Sequence, residues 1–169
     1  MTNHTNPAAQ AQTPSGLDHL VINVRDLDAA HEFWAGCLGF RQVGAWRPKG
    51  TDRPGMRFYS GEAEGKLSHH HIALVEDPTL ARAEPGRPQA FNHVAIAYPS
   101  RAAWEAQLDF VKSRGIALKR RVHRGATWSA HLHDQDGNEV ELVYELPRAL
   151  WEGDIDAALN TAVTQPLNL

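Results

Sequence analysis

The chain has 169 residues, of which 42% are hydrophobic and 22% are charged, a composition typical of a globular protein with one core. Its 17 Lys and Arg residues and 20 Asp and Glu residues give a net charge of −3, which provides no electrostatic attraction for nucleic acid or an anionic membrane. The single cysteine, Cys37, excludes a disulfide within the chain and a cysteine-based zinc site. Histidine, by contrast, occurs ten times, and it is the commonest metal ligand among side chains.

The N-terminal segment is small and polar, contains two prolines and carries no apolar run. We therefore predict a disordered tail over residues 1–16, without the apolar stretch of a signal peptide. No apolar segment of the chain is long enough to span a bilayer. The expectation is a cytoplasmic protein that binds neither nucleic acid nor a membrane.

The first ordered elements follow this segment. Residues 17–24 alternate between apolar and polar side chains, which predicts a strand with His19 on the face opposite its apolar side chains. Asp26 then caps a helix whose apolar side chains recur at helical spacing until Gly39. Three further strands are predicted, near residues 40–46, 56–60 and 69–75.

The pattern then restarts after a linker. Residues 77–90 contain three prolines and a glycine without periodicity, which predicts a connection without regular structure. Residues 91–97 repeat the pattern of residues 17–23 at a distance of 74 residues, with His93 in the place of His19. Such a repeat predicts two copies of one structural unit.

The second copy continues as the first does. Ser100 caps a helix that ends at Gly115. Further strands are predicted over residues 116–122, 128–133 and 139–144, the last two as a hairpin. A last amphipathic helix carries its apolar side chains on one side, namely Trp151, Ile155 and Leu159.

These elements predict an α+β fold in which two βαβββ repeats form an open curved-sheet cleft, followed by a C-terminal helix. The expected organisation is a single domain over residues 17–146, made of repeat one (17–76), the linker (77–90) and repeat two (91–146), with a C-terminal helix and tail over residues 147–169. Because the helix of each repeat covers the apolar face of its sheet, the opposite faces, with His19 and His93, converge on the cleft.

A carboxylate joins the two histidines on the cleft side. In the last strand, Val140 and Leu142 share one face and Glu141 lies on the other. A carboxylate on an otherwise apolar strand is unfavourable unless it is paired or binds a metal. His19, His93 and Glu141 therefore predict a site of two imidazoles and one carboxylate, the arrangement that Fe(II) oxygenases use to bind substrate and O₂ side by side.

The competing interpretation treats His19 and His93 as strand histidines with ordinary hydrogen-bond partners and Glu141 as exposed. The shared cleft face of all three residues, and the equivalent repeat positions of the two histidines, favour the metal site. Fe(II) is the metal expected first, and the same donors suit Mn, Ni, Co or Zn.

Four motifs carry a resemblance to a known family. They are Asp18-His19-Leu20-Val21-Ile22, Leu38-Gly39-Phe40, Asn92-His93-Val94-Ala95-Ile96 and Asp134-Gln135-Asp136-Gly137-Asn138-Glu139-Val140-Glu141-Leu142. Together they resemble the vicinal oxygen chelate superfamily, which includes glyoxalases, fosfomycin-resistance enzymes, bleomycin-binding proteins and type I extradiol dioxygenases. The resemblance implies metal ligands at His19, His93 and Glu141, the same residues that strand alternation selects.

The resemblance also distinguishes between members of the superfamily that bind metal in different ways. Glyoxalase I proteins use a fourth ligand, a Glu in the last strand of the first repeat, and alignment of residues 72–75 with residues 140–143 puts Ala73 there. Alanine cannot bind a metal, so a four-ligand glyoxalase site is disfavoured. Bleomycin-binding members lack the metal ligands, whereas this chain has all three.

The histidines before the Ile-Ala strand of repeat one are similar to those of extradiol dioxygenases, which carry an acid–base histidine there. The residue that matches this acid–base histidine is His70. Strand alternation instead makes His71 the inward residue, because it shares a face with Ala73. A bulge at the start of the strand would reconcile the two, so His70 is favoured and His71 is kept as the second candidate.

Extradiol members further place a His before the final hairpin and a Tyr three residues before the Asp of the turn. His123 lies within one residue of the first position, and His131 stands where the Tyr would be. The resemblance implies that His123 and His131 contact the substrate. The change from a phenol to an imidazole departs from the family pattern and bears on which substrate is used.

The predicted activity is an Fe(II)-dependent extradiol dioxygenase that cleaves a catechol-type aromatic ring with O₂. The alternative is a glyoxalase-like or fosfomycin-resistance-like metal-dependent lyase, isomerase or thiol transferase, and a non-catalytic hydrophobe-binding protein is the third hypothesis. Small members of the family often pair repeats between chains, so the resemblance also makes a homodimer an expected partner arrangement.

Overall fold

The computed structural model describes residues 14, 17–47, 49–50, 54–82 and 91–165, with backbone alone for the last four. The disordered tail predicted for residues 1–16 lies outside the described residues, apart from Pro14, and so do residues 83–90 of the predicted linker. Among the described residues, no helix combines the length and the apolar character needed to cross a membrane.

Repeat one is built as its sequence pattern predicts. Asp26 caps the first helix by accepting hydrogen bonds from the backbone N–H groups of Asp28 and Ala29, at 2.7 and 3.0 Å. Gly39 follows the helix with φ of +82°, a conformation that glycine adopts without strain. The elements are β1 (Leu20–Val24), α1 (Leu27–His31) continuing as a π-helix (Glu32–Cys37), β2 (Arg41–Trp46), β3 (Met56–Ser60), a short hairpin of β4 (Glu62–Ala63) and β5 (Lys66–Leu67), and β6 (Ile72–Glu76).

Repeat two has the same order of principal elements. Its helix is capped by Ser100, which accepts a hydrogen bond from the backbone N–H of Ala103 at 3.1 Å. The elements are β7 (His93–Ala97), α2 (Arg101–Ser113), β8 (Arg120–Arg124), β9 (Thr127–His133) and β10 (Glu139–Glu145), followed by a 3-10 turn (Arg148–Leu150), α3 (Ile155–Asn160) and β11 (Ala162–Gln165).

The sheets of the two repeats have matching topology. The first has the strand order β1-β6-β3-β2, and the second has the order β7-β10-β9-β8 with β11 added at its edge. In each, the first strand pairs in parallel with the last, and Val21 lies opposite Ala73 as Ala95 lies opposite Glu141. This register confirms that Ala73 is the repeat-one counterpart of Glu141.

One hydrophobic core joins the repeats, with Trp34 of the first helix and Trp104 of the second both fully buried. Polar contacts cross the boundary as well: Gln107 donates to the backbone carbonyl of Cys37 at 2.7 Å, and Asp136 accepts from the backbone N–H of Arg25 at 3.1 Å. The α+β fold of two βαβββ repeats is therefore confirmed.

The C-terminal part differs from the prediction. The last helix is shorter than expected, and the chain then adds β11 against β8. Gly125 allows α3 to approach this sheet, because a Cβ at that position would lie 2.8 Å from Ala158 Cα. Ile155 and Leu159 stay exposed on α3, and the homodimer stays a prediction.

Candidate functional site

The cleft face of repeat two is defined by what its helix covers. Val140 and Leu142 are fully buried, and Leu142 accepts a hydrogen bond at its backbone carbonyl from the Trp104 indole N–H of α2, at 2.9 Å. Since side chains alternate along a strand, the other face of β10 carries Glu139 and Glu141.

Glu141 lies between two imidazoles. Its Oε2 is 3.1 Å from His93 Nε2, and its Oε1 is 3.4 Å from His131 Nε2 on the neighbouring strand β9. Burial raises the pKa of this carboxyl, but hydrogen bonds from His131 and Ser129 and the charges of the two histidines outweigh it and lower the pKa to about 2. Glu141 is therefore ionised at neutral pH.

The other nitrogen of the His93 ring is already engaged. Its Nδ1 lies 2.6 Å from Asn92 Oδ1, an oxygen that only accepts, so Nδ1 carries the proton. In the neutral ring, the Nε2 lone pair then faces the Glu141 carboxylate, and two acceptors this close need a proton or a cation between them. This is the chemistry expected of two metal donors, and a histidine ligand whose second nitrogen donates to an oxygen is typical of metal sites.

His131 is anchored on its far side. The side chain is 5% exposed, and its Nδ1 lies 2.8 Å from Glu139 Oε1. Glu139 also accepts hydrogen bonds from Lys119 and, at 2.8 Å, from Arg120. Burial raises the Glu139 pKa, but the Lys119 hydrogen bond and the charges of Arg120 and Lys119 outweigh it and hold that pKa below its usual range.

His19 lies in a second cluster, in repeat one. Its Nδ1 is 3.4 Å from Asp18 Oδ1, and its ring centroid is 4.6 Å from that of His70. His69 lies close to Asp18 and to His70. Its Nε2 is 3.2 Å from Asp18 Oδ1, and its Nδ1 is 2.8 Å from His70 Nδ1. Burial, followed by the charges of His19 and His69, lowers the pKa of His70.

The two acid–base candidates have different surroundings. His70 is half-buried between His19 and Phe58, whose ring centroid is 5.2 Å away. His71 is exposed, and its Nδ1 accepts a hydrogen bond from the backbone N–H of Gly61 at 3.1 Å. Alternation could not separate them because β6 begins only at Ile72, so these histidines precede the regular strand.

The structure brings His93 and Glu141 together and leaves His19 apart from them. In the portion of the chain that is described, three or more His, Cys, Asp or Glu side chains do not group in a way that could hold a metal ion. A cleft of about 400 Å³ nevertheless reaches from His19 and His71 to Ala95, the residue opposite Glu141 in the β7–β10 register. His19 therefore lines this cleft, whereas His93 and Glu141 are not among the described residues that line it, and Ala95 is the lining residue that pairs with Glu141.

His123 lies on the other face of the sheet. Its ring stacks on Trp128 at 4.5 Å, and Trp128 packs against the core. Burial, followed by the charges of Arg121 and Arg101, lowers the pKa of His123. The structure does not bring His123 together with Glu141 or His131, because β8 starts at Arg120 and directs His123 toward the helix side.

Sequence reasoning did not identify Glu139, Lys119 and Arg120. The two-residue spacing of Glu139 and Glu141 was a usable signal, since it puts both carboxylates on one face of a strand. The pairing of Glu139 with Lys119 and Arg120, which lie at the start of β8 and reach across β9, was not visible in the sequence.

Comparisons with known proteins give the family. Residues 16–142 match the Glyoxalase/Bleomycin resistance protein/Dioxygenase superfamily. The chain is 36% identical over 126 residues to biphenyl-2,3-diol 1,2-dioxygenase 2 of Rhodococcus globerulus, covering 73% of this chain and 60% of that protein. It is 26% identical over 140 residues to catechol-2,3-dioxygenase of Bacillus subtilis (strain 168), covering 82% of this chain and 44% of that protein. The chain thus spans about half the length of these curated relatives.

Solved structures share the fold. A glyoxylase/bleomycin resistance protein/dioxygenase domain from Frankia sp. EAN1pec superposes with a TM-score of 0.63 at 18% identity, over 79% of this chain and 100% of that one. The fosfomycin resistance protein FosX from Listeria monocytogenes, complexed with Mn(II) and sulfate, superposes with a TM-score of 0.56 at 18% identity, over 78% and 93% of the two chains. With the extent of the family match, these findings confirm the resemblance seen in the motifs: the chain belongs to the Glyoxalase/Bleomycin resistance protein/Dioxygenase superfamily.

Proposed function

We propose that this protein is an extradiol dioxygenase that opens a catechol-type ring with O₂ at an Fe(II) centre. The observation that carries the proposal is the ionised Glu141 on the cleft face, flanked by the Nε2 atoms of two imidazoles. The names of the two curated relatives support the reaction type, because both describe dioxygenases of aromatic diols.

His19, His93 and Glu141 would hold the metal. His93 and Glu141 already face each other, and His19 has its Nδ1 next to an Asp18 oxygen as His93 has its Nδ1 next to Asn92. Two neutral imidazoles and a carboxylate suit Fe(II), and Mn, Ni, Co or Zn would fit the same donors. When bound, such a metal lowers the pKa of the diol hydroxyls and offers a position for O₂ beside the substrate.

His70 is the residue that we assign to proton transfer. It contacts His19, so a substrate held at His19 would lie within its reach, and the Phe58 ring beside it supplies an apolar wall for an aromatic ring. His71 is the second candidate, although its Nδ1 already accepts a hydrogen bond from the backbone N–H of Gly61. His131, with Nε2 toward the cleft, would hydrogen-bond a substrate oxygen. His123 has no part in this proposal because it lies behind the sheet.

The test is oxygen uptake by metal-loaded protein. Protein loaded with Fe(II) under anaerobic conditions is mixed with catechol or 2,3-dihydroxybiphenyl and then exposed to air. We expect oxygen consumption together with a yellow ring-cleavage product in the native protein and in Glu145→Gln, a control on the exposed end of the same strand, and neither in Glu141→Gln. Lack of oxygen uptake with every catechol, in protein shown to hold Fe(II), would overturn the proposal. Turnover with Mn(II) in the absence of O₂ would instead identify a lyase, isomerase or thiol transferase.

A further inference from the structure

His131 is held between two carboxylates of the neighbouring strand. In the β9–β10 register it lies directly opposite Glu141, its Nδ1 is 2.8 Å from Glu139 Oε1, and its Nε2 is 3.4 Å from Glu141 Oε1. The ring is almost fully buried, so its orientation is set by these contacts rather than by solvent.

Glu139 is itself anchored by two cations. One of its oxygens accepts from Arg120 at 2.8 Å and also faces His131, and the other accepts from Lys119. Glu139 lies on the cleft side, opposite His93 in the β7–β10 register, so a free carboxylate here would compete with Glu141 for a cation. Charge-assisted hydrogen bonds to Lys119 and Arg120 hold it away from that role.

We propose that Glu139 is a positioning residue: held by Lys119 and Arg120, it takes the hydrogen bond from His131 Nδ1 and so directs His131 Nε2 at Glu141 and the cleft. Ionised carboxylates only accept, and the contact at Nδ1 (2.8 Å) is much shorter than the contact at Nε2 (3.4 Å), so a neutral imidazole keeps its single proton on Nδ1. In the neutral ring this leaves the Nε2 lone pair on the cleft side. The consequence for catalysis rests on the proposed dioxygenase function, whereas the orientation itself does not.

Two variants separate this role from a simple charge effect. Glu139→Ala and Glu139→Gln both remove the negative charge, but only the glutamine keeps an oxygen that can accept from Nδ1. Glu145→Gln, on the exposed end of the same strand, is the matched control. Thermal melts of all variants report whether each folds.

The readout is the imidazole ¹H–¹⁵N correlation spectrum of the metal-free protein, recorded at a pH where the ring is neutral and assigned with a His131→Asn variant. We expect the proton on Nδ1 of His131 in the native protein, in Glu145→Gln and in Glu139→Gln, and its transfer to Nε2 in Glu139→Ala. A native ring with its proton on Nε2 would overturn the proposal, and this outcome does not depend on whether any variant folds. An unchanged tautomer in folded Glu139→Ala would overturn it as well.

The kinetic arm tests the catalytic consequence. In Fe(II)-loaded protein we expect kcat for ring cleavage to fall about 10- to 100-fold in Glu139→Ala, the loss typical when the partner of an active-site histidine is removed. The loss of kcat in Glu139→Gln should be clearly smaller. Equal losses of kcat in both variants would overturn the positioning role, because the loss of the negative charge alone would then explain the effect. Should no catechol be cleaved, the dioxygenase function fails, and the spectra still decide the orientation of His131.

Discussion

The two repeats share a topology and place different chemistry on the cleft. In each, the first strand pairs in parallel with the last, in the same register, and a helix covers the outer face. Equivalent positions nevertheless differ, as the strand pairings show for Ala73 and Glu141 and for Phe58 and His131. Repeat two carries a carboxylate and an imidazole at these two positions, and repeat one carries a small and an aromatic side chain.

This difference shows how one fold supports two local environments. Glu141 is 15% exposed, and a carboxylate this buried needs partners, which His93 and His131 supply. In repeat one the counterpart Ala73 is 1% exposed and lies opposite Phe58, so that position is closed to a charge. The face opposite the helix therefore carries charged side chains in repeat two and apolar side chains in repeat one.

The largest expected effect is that of removing the Glu141 carboxylate from repeat two. Glu141→Ala should abolish ring cleavage and weaken Mn(II) binding by more than about 100-fold, because the loss of a ligand exceeds the loss of its outer partner. Isothermal titration of the metal-free protein with Mn(II) measures the affinity, and Glu145→Ala is the control. An unchanged affinity would show that the carboxylate of repeat two does not bind the metal.

Next in size is the removal of the proton carrier of repeat one. His70→Ala should lower kcat by about 100- to 10,000-fold, the usual contribution of a general acid–base group, while metal affinity stays near the native value. His71→Ala is the matched variant and should retain most of the activity. The reverse order of the two losses would transfer the role to His71, as strand alternation alone suggests.

The difference between the repeats is tested directly by comparing the two equivalent histidines, His19 and His93. His19→Ala and His93→Ala should each weaken Mn(II) binding, by about 100-fold if both are ligands. A loss confined to His93→Ala would restrict the metal centre to repeat two. Circular dichroism of both variants controls for folding.

The smallest expected effect concerns stability. Ala73→Glu places in repeat one the carboxylate that repeat two carries, and burial of an unpaired charge in a closed position should lower the free energy of unfolding by about 3 kcal/mol. Urea denaturation measures this change. Ala97→Glu, on an exposed strand position of repeat two, should be nearly neutral, and equal stability of the two variants would contradict the difference in environment.

Much of this architecture was predictable because it depends on local patterns. Alternation in the last strand correctly assigned Val140 and Leu142 to the helix side and Glu141 to the opposite face, where it lies beside His93. The caps at Asp26 and Ser100 correctly marked the helix starts. Ala73 was matched with Glu141 by alignment, and the strand registers confirm it.

The predictions were weakest where a strand boundary decides which way a side chain points. β8 begins at Arg120 rather than near residue 116, which directs His123 to the helix side. β6 begins at Ile72, so alternation does not apply to the histidines before it. The β4–β5 hairpin and β11 were not predicted, because two-residue strands and an added edge strand have little periodicity.

The sequence by itself determined the two repeats, the outer and cleft faces of their strands, and the residue types that reach the cleft, since these depend on spacing along one chain. Only the tertiary structure decided which carboxylate is available. Lys119 and Arg120, from the β8 side of the sheet, hold Glu139 against His131, and Glu141 is left facing His93. Contacts between strands depend on register and packing, which the spacing of residues within one strand does not determine.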